Sequence, residues 1–292
     1  MHRVLLTAVA LAFLAPWAEL AAAQGHAERG ANLFALAGGC SCHTTEDGPV
    51  GAGGREIPTP FGTFYSTNIT PDEETGIGAW SNEEIIAAVR DGEMRGKGVE
   101  APVMPYYRYF GMTDRDAGDL VVYLRTLPAV RQSNRTAEVS IPLARLSYRV
   151  WRLLFAARIE RQLERPQEQQ ELGRYLTDHV SICGDCHTPR NLLGVPRHNL
   201  YLAGTKNGPL GKRIPNITPD RRTGIADWTE YDMMNILSTG MLPNFDNVQG
   251  LMKEVVDGRG GGPGYGDANR DDLRAIAQYV LSVPALAHDV GE

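Results

Sequence analysis

The sequence predicts an all-α fold built from two tandem copies, and three observations carry that reading. Apolar residues recur at helical spacing in several short, capped segments. No run reads as a convincing strand. A set of short motifs occurs twice along the 292 residues, a length that allows about two domains.

The chain divides accordingly. Residues 1–23 carry Arg3, an apolar run from Val4 to Leu14 and then Ala21-Ala22-Ala23. This is the pattern of a secretory signal with cleavage before Gln24, and the run is short for a membrane span. The first copy covers 24–130. A helix from Ala27 to Ala37, with Leu33 and Phe34 on its apolar face, leads into Cys40-Ser41-Cys42-His43. Gly48 to Pro71 is rich in Gly, Pro and Thr and reads as loop, with Phe61, Phe64 and Tyr65 as apolar cover. Ser81 and Glu84 form a capping box for a helix to about Arg90. Thr113-Asp114 starts a helix through Leu124, stopped by Pro128.

Residues 131–166 form a linker containing one expected helix, Leu143 to Arg165, bounded by Pro142 and Pro166. It carries Tyr148, Trp151 and Phe155 and has six Arg against two Glu. Two roles stand open for it, packing between the copies or docking on a partner or on membrane headgroups. The second copy, 167–292, repeats the first: helix Glu171 to Val180, a Cys/His cluster, a Gly/Pro loop, and helices Thr229 to Leu237 and Asp271 to Leu281.

The second cluster is Cys183-Gly184-Asp185-Cys186-His187. C-x-x-C-H is the attachment signal of a c-type haem, in which two thiols form thioethers with the vinyl groups and the next His is the proximal ligand. A redox dithiol or half a zinc site is the plainer reading of C-x-x-C alone. The following His, without a second pair at zinc spacing, favours haem. In the first copy the cluster is one residue shorter, so Cys42 and His43 keep their adjacency while Cys40 lies closer to Cys42. Cys42 is expected to keep its thioether there, with the Cys40 bond left open and Gly38 and Gly39 able to absorb part of the shortening. All four cysteines sit in these clusters, leaving none for structural disulfides.

The repeat continues past the cysteines. Asn68-Ile69-Thr70-Pro71-Asp72 matches Asn216-Ile217-Thr218-Pro219-Asp220, and Thr75-Gly76-Ile77, Trp80 and Gly92 match Thr223-Gly224-Ile225, Trp228 and Gly240. A distal Met ligand gives the electron-transfer arrangement of a haem iron. Met104 and Met252 are the methionines that correspond across the copies, and Met104 lies in Pro102-Val103-Met104-Pro105, read as extended. Met112 is the rival in the first copy, although its place before Thr113 suits a helix staple. Net charge is -6 and no basic stripe runs along the chain, which argues against nucleic acid.

With these residues in hand, the chain resembles the dihaem c-type cytochromes similar to the cytochrome subunits of periplasmic alcohol, aldehyde and related dehydrogenases. The resemblance rests on Cys183 to Asn191, Asn216 to Asp220 and Met252 to Val256, and on Thr59 to Thr63, Asn68 to Asp72 and Met104-Pro105-Tyr106. It implies two class I cytochrome c domains and two covalent haems c. It further implies electron relay in the periplasm from a dehydrogenase to a downstream cytochrome or oxidase. Cofactor attachment is expected at Cys40, Cys42, Cys183 and Cys186, and iron ligation at His43, Met104, His187 and Met252. The competing function is a dihaem enzyme of thiosulfate or peroxide type, which needs an open iron position; a Met in both copies speaks against it.

Overall fold

The computed structural model describes residues 24–140, 144–156 and 160–291. The expected signal segment therefore lies outside the described residues, as do Pro142 and Leu143. Ten helices are named here: α1 (24–36), α2 (Asn82–Asp91), α3 (Tyr106–Tyr109), α4 (Asp114–Leu124), α5 (Ala144–Trp151), α6 (Gln169–His179), α7 (Cys183–His187), α8 (Glu230–Thr239), α9 (Gly250–Asp257) and α10 (Arg270–Ser282). Short strands accompany them: β1 (Glu56–Thr59), β2 (Gly62–Tyr65), β3 (Glu93–Met94), β4 (Gly98–Val99) and β5 (Glu138–Val139).

Capping sets the helix starts. Ser81 accepts from Glu84 N while the Glu84 side chain accepts from Ser81 N, and Thr229 and Asp232 reciprocate in the same way. Gly92 and Gly240 end α2 and α8 in the left-handed region, at φ 66° and 75°.

Two crossed helix pairs hold the fold. α1 packs on α4 and α6 on α10, and each crossing occurs at a glycine. A Cβ on Gly30 would lie 2.0 Å from Asp119 O, and one on Gly173 2.1 Å from Ala275 O. Around the crossings lie Leu33, Phe34, Leu120 and Val121 in one half and Tyr175, Leu176, Leu273 and Ile276 in the other, all buried. The larger apolar cluster joins Leu36, Tyr109 and Met112 to Leu176, Leu202 and Ile276, so the halves share a core. Polar ties cross the same seam. Tyr175 OH donates to Asp116 (2.8 Å), and Asn32 Nδ2 donates to Asp272 (2.7 Å).

The fold is mainly helical, with three departures from the expectation. The Gly48 to Pro71 stretch contains a hairpin, β1 with β2, in which Ile57 faces Phe64; β5 adds to its edge. Strands of four residues with Pro58 in an edge position leave no alternating pattern to read. β5 and the residues just before it, assigned above to the linker, lie on the first half. The Leu143 to Arg165 helix is also shorter than expected. α5 stops at Trp151, a wide π-type turn covers Arg152–Ala156, and residues 160–168 are irregular. There Gln162 N bonds Gly111 O (3.2 Å) and Arg165 bridges Asp116 and Asp272 (3.4 and 2.6 Å), contacts that outcompete continued helix.

The glycines give opposite expectations. Gly173→Ala drives a methyl into a backbone carbonyl and is expected to destabilise by about 1–3 kcal/mol. Gly118, inside α4 with nothing within 4 Å of a built Cβ, should gain about 0.5–1 kcal/mol as Ala. Denaturant midpoints of the two variants check this; equal shifts would refute the crossing as described.

Candidate haem sites

α1 and α6 each deliver the chain to a Cys/His cluster. After α6, Ile182 takes a left-handed conformation (φ 45°) and Cys183–His187 form one helical turn. After α1, Gly38, Gly39 and Cys40 all take positive φ (65°, 62° and 46°). The missing residue is thus absorbed by three left-handed residues in series, with Cys40 itself bearing about 1–2 kcal/mol of strain. The other half braces this turn. A Cβ on Gly39 would lie 2.1 Å from Pro263 O, and one on Gly38 3.2 Å from Val255.

Downstream the two clusters converge on one geometry. His43 Nδ1 donates to Thr67 O (2.7 Å) and His187 Nδ1 to Pro215 O (2.9 Å). His43 O accepts from Gly53 N and His187 O from Gly204 N, both at 2.7 Å. Thr44 and Thr188 hydroxyls accept from Gly51 N and Leu202 N, both at 3.1 Å. The carbonyls that orient the rings belong to the residues just before Asn68 and Asn216. Each of these asparagines is buried, accepts from the N–H and hydroxyl of Thr70 or Thr218, and donates to Val130 O or Leu286 O. The chain after α4, and again after α10, therefore returns to clamp the loop that holds the histidine.

Burial lowers the pKa of both imidazoles against the pull of the carbonyls. With Nδ1 donating, the neutral ring leaves Nε2 as a free lone pair, which is what a metal ligand requires. Burial pushes the Cys40 and Cys183 thiols up to about 12 and raises those of Cys42 and Cys186. A reactive dithiol would need the reverse. Among the described residues no three His, Cys, Asp or Glu side chains gather as a zinc site would need.

Cys40 packs against the Phe34, Ile85 and Leu120 cluster, and Cys183 against the larger shared one. One thiol of each pair in apolar surroundings, a second that is exposed at Cys42 and half-buried at Cys186, and an oriented, neutral imidazole beside them fit covalent haem. Met104 and Met252 are both partly buried against the shared core, while Met112 is 1% exposed within it. Met104 does not lie in an extended segment as expected. Its N–H bonds Ala101 O (3.1 Å) and it closes a turn before α3, whereas Met252 sits in the first turn of α9. Pro102 and Pro105, absent from the second copy, set that difference.

Sequence reasoning missed the polar seam between the clusters. Tyr107 OH donates to Asp185 (2.6 Å), and Arg190 also pairs with Asp185. Burial would raise the Asp185 pKa, but Arg190, Arg108 and Tyr107 hold it below the usual range. Arg108 is buried with Nε and Nη2 lacking hydrogen-bond partners among the described residues. On the other side, Arg55 and Arg259 both pair with Glu254 (2.7 and 2.6 Å) at a cleft of about 430 Å³. A second cleft, of about 360 Å³, lies between Glu28 and Asn269. The C-x-x-C-H spacing gives no hint of residues contributed by the opposite half.

A small helical fold that presents thiols beside a pre-oriented imidazole defines a c-type haem protein as a class. The cytochrome c family profile matches residues 27–128. The chain is 36% identical over 272 residues to a dihaem c-type cytochrome of Cereibacter sphaeroides, covering 90% of this chain and 87% of the relative. It is 37% identical over 265 residues to the fructose dehydrogenase cytochrome subunit of Gluconobacter japonicus, and 34% over 263 to the gluconate 2-dehydrogenase cytochrome c subunit of Pantoea cypripedii. Those matches cover 88% and 86% of this chain but 52% and 58% of the relatives, so the chain spans little more than half their length. The chain belongs to the cytochrome c family, in company with the dihaem cytochromes and dehydrogenase cytochrome subunits. That membership supports haem c as cofactor and an electron-transfer role.

The Asn-Ile-Thr-Pro-Asp loops carry a pH prediction. Thr75 and Thr223 donate to Asp72 and Asp220 from hydroxyl and backbone (2.7–2.8 Å), holding both carboxyls below the usual 3.8. A lowered folded-state pKa gives stability that is present above 3.8 and lost as pH falls through the lowered value. The double variant Asp72→Asn/Asp220→Asn should melt below wild type at neutral pH and match it in strong acid. A gap independent of pH would rule the linkage out.

Proposed function

We propose that the protein consists of two tandem cytochrome c domains, each carrying one covalent haem c, and relays electrons without substrate chemistry of its own. The single observation that carries this is the matched imidazole-to-carbonyl hydrogen bond in both halves, beside thiols at attachment spacing. In the second half Cys183 and Cys186 form the thioethers and His187 and Met252 ligate the iron. In the first half Cys42 forms the secure thioether, Cys40 the strained one, and His43 and Met104 ligate. Full burial of Met112 ahead of the N-cap Thr113 supports a packing role for it. When bound, the haems supply one-electron chemistry at a potential raised by thioether ligation. The chain's residues fix the ring nitrogens, exclude water and hold the two centres in one shared core.

The relatives named as subunits of fructose, gluconate and alcohol dehydrogenases support a dehydrogenase as donor, which the proposal places in the periplasm. A downstream cytochrome or oxidase is then the acceptor, with export directed by residues 1–23. Production in a host that matures c-type haems tests the assignment. Intact mass should show two haems, and Met252→Ala should remove the weak sulfur-to-iron band of one of them and lower its potential. A single haem, lost entirely on Cys183→Ser/Cys186→Ser, would show that the first half is an empty scaffold.

A further inference from the structure

α5 and the turn after it are amphipathic in the opposite sense from a core helix. Trp151 and Ala156 face inward, against Tyr106, Tyr107 and Val99. Leu146, Val150 and Leu154, spaced four residues apart, face outward, and Leu153 is 74% exposed. Next to this stripe stands the loop after the second Cys/His cluster, where Leu192 is 96% and Leu193 61% exposed. The two are tied together, because Trp151 Nε1 donates to Leu193 O (2.9 Å). Six large exposed apolar side chains on these two tied segments exceed what scattered surface residues explain.

Charge indicates what covers that face. The chain is acidic overall, at -6, yet Arg145 and Arg149 are exposed along the apolar stripe. Arg149 reaches over Gly98, next to the exposed Lys97; its Nη2 would lie 3.2 Å from a Cβ there. The nearby Glu93 is already paired with Arg152 (3.1 Å). Two copies meeting through this face would bring arginine against arginine. Neither cleft described above is lined by residues of this face. An apolar stripe flanked by arginines suits the boundary between headgroups and acyl chains.

We propose that α5, the turn Arg152–Ala156 and the Leu192–Leu193 loop seat the protein on the surface of an anionic lipid bilayer. The leucines enter the headgroup boundary and Arg145 and Arg149 meet lipid phosphates. Among the described residues no helix is long and apolar enough to cross a membrane.

Co-sedimentation of the exported protein with vesicles tests this. It should bind vesicles of phosphatidylcholine and phosphatidylglycerol in equal parts, bind phosphatidylcholine alone far less, and be released by salt. Each cationic side chain near an anionic surface is worth about fivefold in partition. Arg145→Glu/Arg149→Glu should therefore cut binding at least about tenfold, while Arg145→Lys/Arg149→Lys keeps it. Leu153→Glu/Leu192→Glu should abolish it with the thermal midpoint unchanged, since neither side chain supports the core. The idea fails if the wild type stays in the supernatant, or if the Glu variants bind as it does. It fails equally if those variants instead lose self-association, or lose reduction by the donor dehydrogenase while vesicle binding persists. The visible spectrum of the same sample reports haem content separately, so failure here is distinguishable from failure of the haem assignment.

Discussion

In each half a half-buried histidine donates one ring proton to the carbonyl of a loop residue, and most of the surrounding architecture exists to make that bond available. The carbonyl must stand within 3 Å of a ring that follows immediately after a cysteine. Thr67 and Pro215 meet this requirement because Asn68 and Asn216 lock the loop from inside. The asparagines are in turn satisfied by the chain returning after α4 and α10. Removing that return would leave each buried amide with only the Thr75 or Thr223 hydroxyl as acceptor, and an unmet buried donor costs about 1–3 kcal/mol before any cofactor is considered. The bond also settles chemistry, since a ring that donates from Nδ1 has only Nε2 to offer.

The two halves are not independent beads. The turn of the first Cys/His cluster rests on residues 255–263 of the second half, and the turn of the second is gripped by Tyr107 and Arg108 of the first. A shared apolar core runs beneath both. The consequence for an electron relay is positional. On the proposed reading, two haems held in one packed unit would keep their separation as the protein meets a partner, because packed interiors shift little without large energetic cost.

The first cluster shows how a local irregularity is tolerated when everything around it agrees. One residue fewer forces Cys40 into a left-handed conformation, yet His43 still reaches its carbonyl and Thr44 still caps Gly51. Gly38 and Gly39 carry part of the distortion. At Gly39 no other residue fits, since a side chain would strike Pro263 O. The distortion stays confined upstream of Cys42, which protects the histidine and its loop.

Much of this was legible in the sequence, for a physical reason. Helix caps such as Ser81 with Glu84, and Thr229, act over three residues, so the sequence alone located α2, α4, α8 and α10 closely. The attachment motif is equally local, since thiols and imidazole must reach one small ring. The Asn-Ile-Thr-Pro-Asp motif stands in both halves of the sequence, which marks those loops without revealing what they hold. What only the tertiary structure decided are interactions between residues far apart in the chain. The hairpin of β1 and β2 needs β5 and a covered face, which no short window encodes. The helix after Pro142 ends at Trp151 and not at Arg165, because Arg165 finds Asp116 and Asp272 on two other helices. The same holds for the direction of α5: its periodicity shows an apolar stripe, but only the packing of Trp151 and Ala156 shows that the leucines face outward. Sequence specifies what each segment can bury; which face is buried depends on the neighbours that arrive.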